Sequence, residues 1–409
     1  MHIMIKMFTN KANKVKSLYK DKITKKKLKK TAISLLSVPL ITLFLQYSTP
    51  VRTEETDKIK EYEPRYETLA HERLDIESAY KTPVKAYKIL DDIISQAKDK
   101  IKQKQDYSKS DIATVFETID SIFKEKGFEN KGGSLLGEGL AEKKLDCDRY
   151  SFVYLAIAEE MNLPIHAVYV PSHVFVRWDE DKKPNPFNWE TKLSKTITNE
   201  EYVRRYNVSR ENSEKSNYLE NLTREEIMAV SYLATGNAFS KEKKLNEAKK
   251  NYKKAIKLNP GICITYSNKA SIFEKKGDLA TAISLYKKAA EINPAREKYY
   301  YKLGTLFKEQ NKTEEAIEYF TLALENVSFE MPGISSFPGL TDSYLQRGIA
   351  FKKKGEFKKA LEDFNRAAIQ DFTNPDIYKY ISIIHKNLGN TEEAQKNLKT
   401  YNRLNSGSD

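Results

Sequence analysis

The sequence predicts an α+β domain followed by an all-α repeat solenoid, with a signal or membrane-anchoring segment ahead of both. Three observations carry that expectation. Short runs rich in β-branched and aromatic residues lie between positions 163 and 192, directly after a helical stretch, as in a mixed domain. From Tyr232 onward, small and aromatic residues recur at a fixed period, the mark of stacked helical units. A lysine-rich start gives way to an uncharged run before either begins. With 409 residues, 40% of them hydrophobic, the chain has room for two or three domains with real cores.

Most of the charge belongs to the first element. Residues 1–30 hold eleven Lys and one Asp, so +10 of the net +13 sits there. The rest of the chain is close to neutral, and no nucleic-acid partner is expected. "TAISLLSVPLITLFLQYS" (31–48) carries no charge and follows the basic cluster "KKKLKK" (25–30). That is the form of a signal or signal anchor, near the lower limit of ~17–25 residues for a spanning helix. No Ala-x-Ala site follows, so the segment reads as an uncleaved membrane anchor. A cleaved signal is the alternative, and a buried helix after a disordered arm is the plainer one. In the first two cases the lysine tail (1–30) stays in the cytoplasm and residues 50–409 are extracytoplasmic.

Residues 49–73 are charged without a clear period and read as a linker. A domain is expected over 74–210. From Leu74 to Gln105 apolar residues recur at three and four, as in a helix. A second helix starts after Ser110 as N-cap, carries Ile112, Val115, Phe116, Ile119, Ile122 and Phe123 on one face, and closes at Gly127. A Gly-rich loop (127–146) then leads to Cys147. It lacks the Lys-Ser/Thr of a phosphate loop, and it is placed to line a cleft and offer backbone donors there.

"DRYSFVYLAIAEEMNL" after Cys147 is apolar nearly all round, which marks a buried central helix of about fifteen residues. Asp146 or Asp148 can cap it, and its N-terminus favours a thiolate at Cys147. Strands follow at 163–170, 173–178 and 186–192. If the last two form an antiparallel hairpin, paired residues sum to 363 or 364, and His173 faces Glu190 or Thr191. Asn188, two residues away on the same face as Glu190, is the alternative third member. A thiol at a helix start, an imidazole on a strand and a carboxylate on its neighbour are the parts of a thiol-nucleophile triad. The plain reading of Cys147 is a small buried residue, and that reading fits Cys263 better. A Cys147–Cys263 disulfide would have to join two domains. His166 reads as an ordinary polar position, and His71 precedes the domain. The five His are scattered and no Cys-x-x-Cys occurs, so no metal or cofactor is expected.

In the C-terminal part, Gly236, Ala270, Gly304, Gly348 and Ser382 hold one slot, and Ala248, Ala282, Ala316, Ala360 and Ala394 another. Tyr252, Tyr286, Phe320, Phe364 and Leu398 form a third. These positions resemble the tetratricopeptide repeat, in five units over 224–405 with an insertion at 328–343. The resemblance implies an extended surface for a protein or peptide partner.

Cys147, His173 before "VFVRW", and "NWETK" together resemble the transglutaminase-like branch of the papain-like fold, in particular bacterial members joined to tetratricopeptide repeats. The likeness covers roughly residues 110–205. It implies Cys147 as nucleophile, His173 as general base and Glu190 as the acid that orients it, where the family more often has Asp. The expected function is thiol acyl transfer, as a peptidase, amidase or transamidase, on a protein recruited by the repeats. The alternative is a scaffold whose transglutaminase-like domain is catalytically quiet.

Overall fold

The computed structural model describes residues 62–80, 82–132, 135–170, 173–180, 186–206, 208, 218–326 and 338–406. The lysine tail, the apolar run 31–48 and most of the insertion lie outside these. Among the described residues no helix is long and apolar enough to cross a membrane.

Helix begins earlier than the sequence pattern indicates. α1 spans Leu69–Ser78, beginning inside the stretch assigned to a linker, and buries Leu69, Ala70 and Leu74. Pro83 then divides what reads as one helix from 74 to 105: α2 spans Val84–Lys100 with Pro83 as its N-cap. α3 is Lys109–Glu125 and is capped by Ser108, not Ser110. The Ser108 hydroxyl accepts from the Asp111 amide while Asp111 reaches back to the Ser108 amide, a capping box. All six residues of the expected apolar face of α3 are buried, and Gly127 turns the chain away with φ 74°.

The segment 127–146 is more ordered than a loop. β1 (Glu129–Asn130) pairs in parallel with β2 (Lys144–Leu145), and α4 (Leu136–Glu142) lies between them. α5 (Cys147–Met161) is the central helix, with Phe152, Val153, Ala156 and Ile157 fully buried. Asp146 is its N-cap. A four-stranded antiparallel sheet follows in sequential order: β3 (Ile165–Val170), β4 (His173–Trp178), β5 (Phe187–Glu190) and β6 (Lys195–Thr196). α5 packs on β3 and β4, while Phe116 of α3 stacks on Phe187 and Trp189 of β5. α6 (Asn199–Tyr206) completes the domain.

The β4–β5 register differs from the expected one. Val176 pairs with Trp189, Arg177 with Asn188 and Trp178 with Phe187, so the sum is 365. Glu190 therefore lies on the same face as His173 but diagonal to it.

Five helix pairs make up the rest: α7/α8 (Arg224–Lys241, Leu245–Leu258), α9/α10 (Cys263–Lys275, Leu279–Ile292), α11/α12 (Glu297–Glu309, Thr313–Glu325), α13/α14 (Pro338–Lys354, Phe357–Gln370) and α15/α16 (Pro375–Asn387, Thr391–Ser406). α13 begins inside the range given to the insertion. The small-residue slot has a steric cause. A Cβ on Gly236, Gly304 or Gly348 would stand 2.7 Å from the ring of Tyr252, Phe320 or Phe364 respectively.

The array is docked on the mixed domain. β3 is a sheet edge, and the chain before α7 covers it: the Leu219 and Leu222 amides donate to the carbonyls of Tyr169 and Ala167. Arg224 bridges Glu72 of α1 and Glu159 of α5. Tyr80 packs edge-on against Phe239 at 5.2 Å and donates to Glu242.

Candidate active site

Cys147 opens α5 at the floor of a cleft, half-buried, and both cysteines are free thiols. Cys263 is buried in the second repeat, where the Tyr299 hydroxyl donates to its sulfur at 3.2 Å. Its plain structural role stands, and no disulfide joins the two.

His173, the first residue of β4, is 6% exposed. Its Nε2 donates to Glu190 Oε2 at 2.6 Å, which leaves Nδ1 for the thiol of Cys147, its other hydrogen-bond partner. Burial alone would lower the imidazole pKa. The hydrogen bonds to Cys147 and Glu190 outweigh it, and the value rises to about 9. Burial likewise works against the Glu190 carboxylate, yet the bond from His173 and its charge hold its pKa below the ordinary one. The Lys192 amide donates to Glu190 Oε1 at 3.1 Å, and the Tyr202 hydroxyl to Oε2 at 3.1 Å. The Tyr206 ring lies parallel to the imidazole at 5.0 Å. The structure thus brings Cys147, His173 and Glu190 together.

Asn188 is not part of this group. Its Oδ1 accepts from Arg177 Nε at 2.8 Å, and its Nδ2 donates to the Ile197 carbonyl and to Asn199. These partners bind the strands to α6 and leave Asn188 unavailable to His173. Among the described residues of 127–146, Asp146 alone lines the cleft. Gly137 packs on Thr82, its amide donates to Glu77, and Gly139 faces Leu145 and Arg149. His166 lies half-buried on β3, away from the cleft lining. His71 is integral to the domain: it is buried on α1, 3.0 Å from Asp91.

Behind the thiol lies a charged cluster that has no sequence signal. Arg73 of α1 is fully buried, and it donates to Glu77 and to Asp148, each at 2.8 Å. Asp148 is held below its ordinary pKa because Arg73 outweighs the cost of burial. Asp146 is pushed up to about 7 by burial and by the neighbouring Asp148. Arg73 lies in the stretch that reads as linker, so nothing in the sequence ties it to Cys147. Tyr202 and Tyr206 leave a fainter trace, as two aromatics one helical turn apart in "EYVRRY".

The other side of the cleft is the inner face of the first two repeats, with Leu233, Asn237 and Ser240 on α7 and Asn268 on α9. Each repeat looks self-contained in the sequence, and this juxtaposition arises only from the docking.

Residues 85–230 match the model of the Transglutaminase-like superfamily. Residues 229–262 and 261–327 match Tetratricopeptide repeat models. No curated protein matches the chain. Similar solved structures include the MamA protein, at 20% identity over 44% of this chain and 92% of that one, TM-score 0.38. YrrB, titled a TPR protein with an unusual peptide-binding site, is similar at 21% identity over 43% and 86%, TM-score 0.37. MamA from Desulfovibrio magneticus RS-1 is similar at 13% identity over 44% and 97%, TM-score 0.39. The chain therefore joins a transglutaminase-like domain, over residues 85–230, to tetratricopeptide repeats that begin at residue 229.

Proposed function

We propose that the protein is a thiol acyl-transfer enzyme, a peptidase, amidase or transamidase, acting on a protein substrate. The observation that supports this best is His173, buried between the Cys147 thiol and the Glu190 carboxylate. With its pKa raised to about 9, His173 carries its proton at neutral pH, beside the Cys147 sulfur. The thiolate attacks an amide carbonyl carbon. As the C–N bond breaks, His173 gives its proton to the departing amine, leaving a thioester on Cys147. Water or a second amine then attacks, His173 takes up its proton, and the C–S bond breaks. Glu190 keeps the imidazole oriented and stabilises its charged form.

The lysine tail and the apolar run 31–48 support placement as a membrane-anchored protein with residues 50–409 extracytoplasmic. The repeats suit recruitment of the protein partner.

The deciding experiment is alkylation with iodoacetamide, with the modified residue mapped. Faster labelling of Cys147 than of Cys263 follows from exposure alone, so the lead must depend on His173. In His173→Gln the rate at Cys147 is expected to fall about tenfold or more at neutral pH, because the imidazole that activates the thiol is gone. A rate unchanged by His173→Gln would favour the scaffold.

A further inference from the structure

The cleft over Cys147 has two walls of different origin, and its volume is about 520 Å³. Asp146, Cys147 and His173 come from the mixed domain, while Leu233, Asn237 and Asn268 come from the first two repeats. The two asparagines are locked together. Asn237 Oδ1 accepts from the Tyr252 hydroxyl at 2.8 Å and from Asn268 Nδ2 at 2.8 Å. With both lone pairs of that oxygen used, Asn237 offers Nδ2 as a donor, and Asn268 offers Oδ1 as an acceptor beside the second N–H of its own Nδ2. Both belong to side chains that line the cleft.

Donors beside an acceptor select among ligand classes. A phosphate or carboxylate group calls for donors alone, and an acyl chain calls for neither. The carbonyl and amide of an extended peptide use both, and Leu233 offers apolar contact next to them. α7 is tied to α1 and α5 through Arg224 and to Tyr80 through Phe239 and Glu242.

We infer that the inner face of repeats one and two is the peptide-binding wall of the Cys147 cleft, with Asn237 and Asn268 holding the main chain of the acyl donor beside the thiol. The inference rests on the acyl-transfer reading for what then happens to the peptide. The repeats on this account are specificity determinants of the site itself, as well as a place of recruitment.

The test uses the full chain and three electrophiles that alkylate Cys147 with loss of bromide: bromoacetamide, bromoacetyl-tetraglycine amide and bromoacetyl-tetrasarcosine amide. The glycine probe offers a main chain without side chains, and the sarcosine probe lacks its internal N–H donors. The glycine probe is expected to react about tenfold faster than bromoacetamide, the gain of one to two hydrogen bonds. The sarcosine probe should lose most of that advantage. Asn237→Ala and Asn268→Ala should each bring the glycine-to-bromoacetamide ratio close to one. A ratio that survives in both variants, or equal advantage for the sarcosine probe, overturns the assignment. Failure of the acyl-transfer reading is separate: it shows as a bromoacetamide rate indifferent to His173→Gln, whatever the ratio does.

Discussion

Glu190 reaches His173 along a diagonal of the β4–β5 ladder, a separation that suits a side chain one carbon longer than aspartate. Glu190→Gln keeps the length and removes the charge. Its expected effect is a fall of about tenfold or more in Cys147 alkylation at neutral pH without complete loss, since an orienting acid supports the chemistry without carrying it. Asn188→Ala should leave that rate unchanged. It strands Arg177 Nε and the Ile197 carbonyl in the interior, so chemical denaturation should show a loss of about 1–3 kcal/mol. The pH dependence follows from two shifts of opposite sign. The proton on His173 binds more tightly in the folded state, so its contribution to stability is complete below pH 6.5 and is lost as pH rises through about 9. Glu190, held below its ordinary 4.5, contributes above that value and loses its contribution as pH falls. The melting-temperature gap between the native chain and His173→Gln should therefore be widest at pH 5–6.5 and shrink toward pH 9. Cys147, His173 and Glu190 were all legible in the sequence. A register sum of 363 differs from the observed 365 by two residues, which preserves the face, whereas 364 would have turned Glu190 away. Asn188 was misplaced because its partner Arg177 is set by the true register.

The elements were legible wherever apolar residues make the stripe. The repeats announced themselves through their period, and α3 through its buried face. α1 stayed hidden because His71, Arg73 and Glu77 are buried on it, so ion pairs replace part of the apolar pattern that would have marked it. The split at Pro83 followed a rule that the continuous apolar spacing across it obscured. In the repeats, the small-residue slot permits a sharp test. Gly304→Ala sets a methyl group 2.7 Å from a fully buried Phe320 ring, and should cost about 1–3 kcal/mol by denaturant titration. Phe320→Leu in the same chain should recover part of that cost, giving a coupling energy of the sign expected for residues in contact.

At the scale of the whole molecule, both tryptophans, Trp178 and Trp189, lie in the sheet, so their fluorescence reports the mixed domain while far-UV circular dichroism is dominated by the repeats. Changing Tyr80 and Arg224 together to alanine should lower the fluorescence transition by a few degrees, because the domain then loses the support of α7. An unchanged fluorescence transition would mean that the docking adds nothing to the domain's stability. A chain starting at residue 51 should leave the membrane fraction, since the uncharged run and most of the excess charge precede it. Persistent partitioning into vesicles would point to a second lipid-binding surface.

Among the described residues, repeats one and two alone touch the cleft, and the three repeats beyond them lean mainly on their immediate neighbours. This separates two kinds of evolutionary change. A lineage can resurface the distal units, or add and delete whole modules there, without disturbing the nucleophile. On the proposed acyl-transfer reading, selection on which partner is carried then runs independently of selection on the bond that is broken, and one inherited chemistry serves a changing clientele.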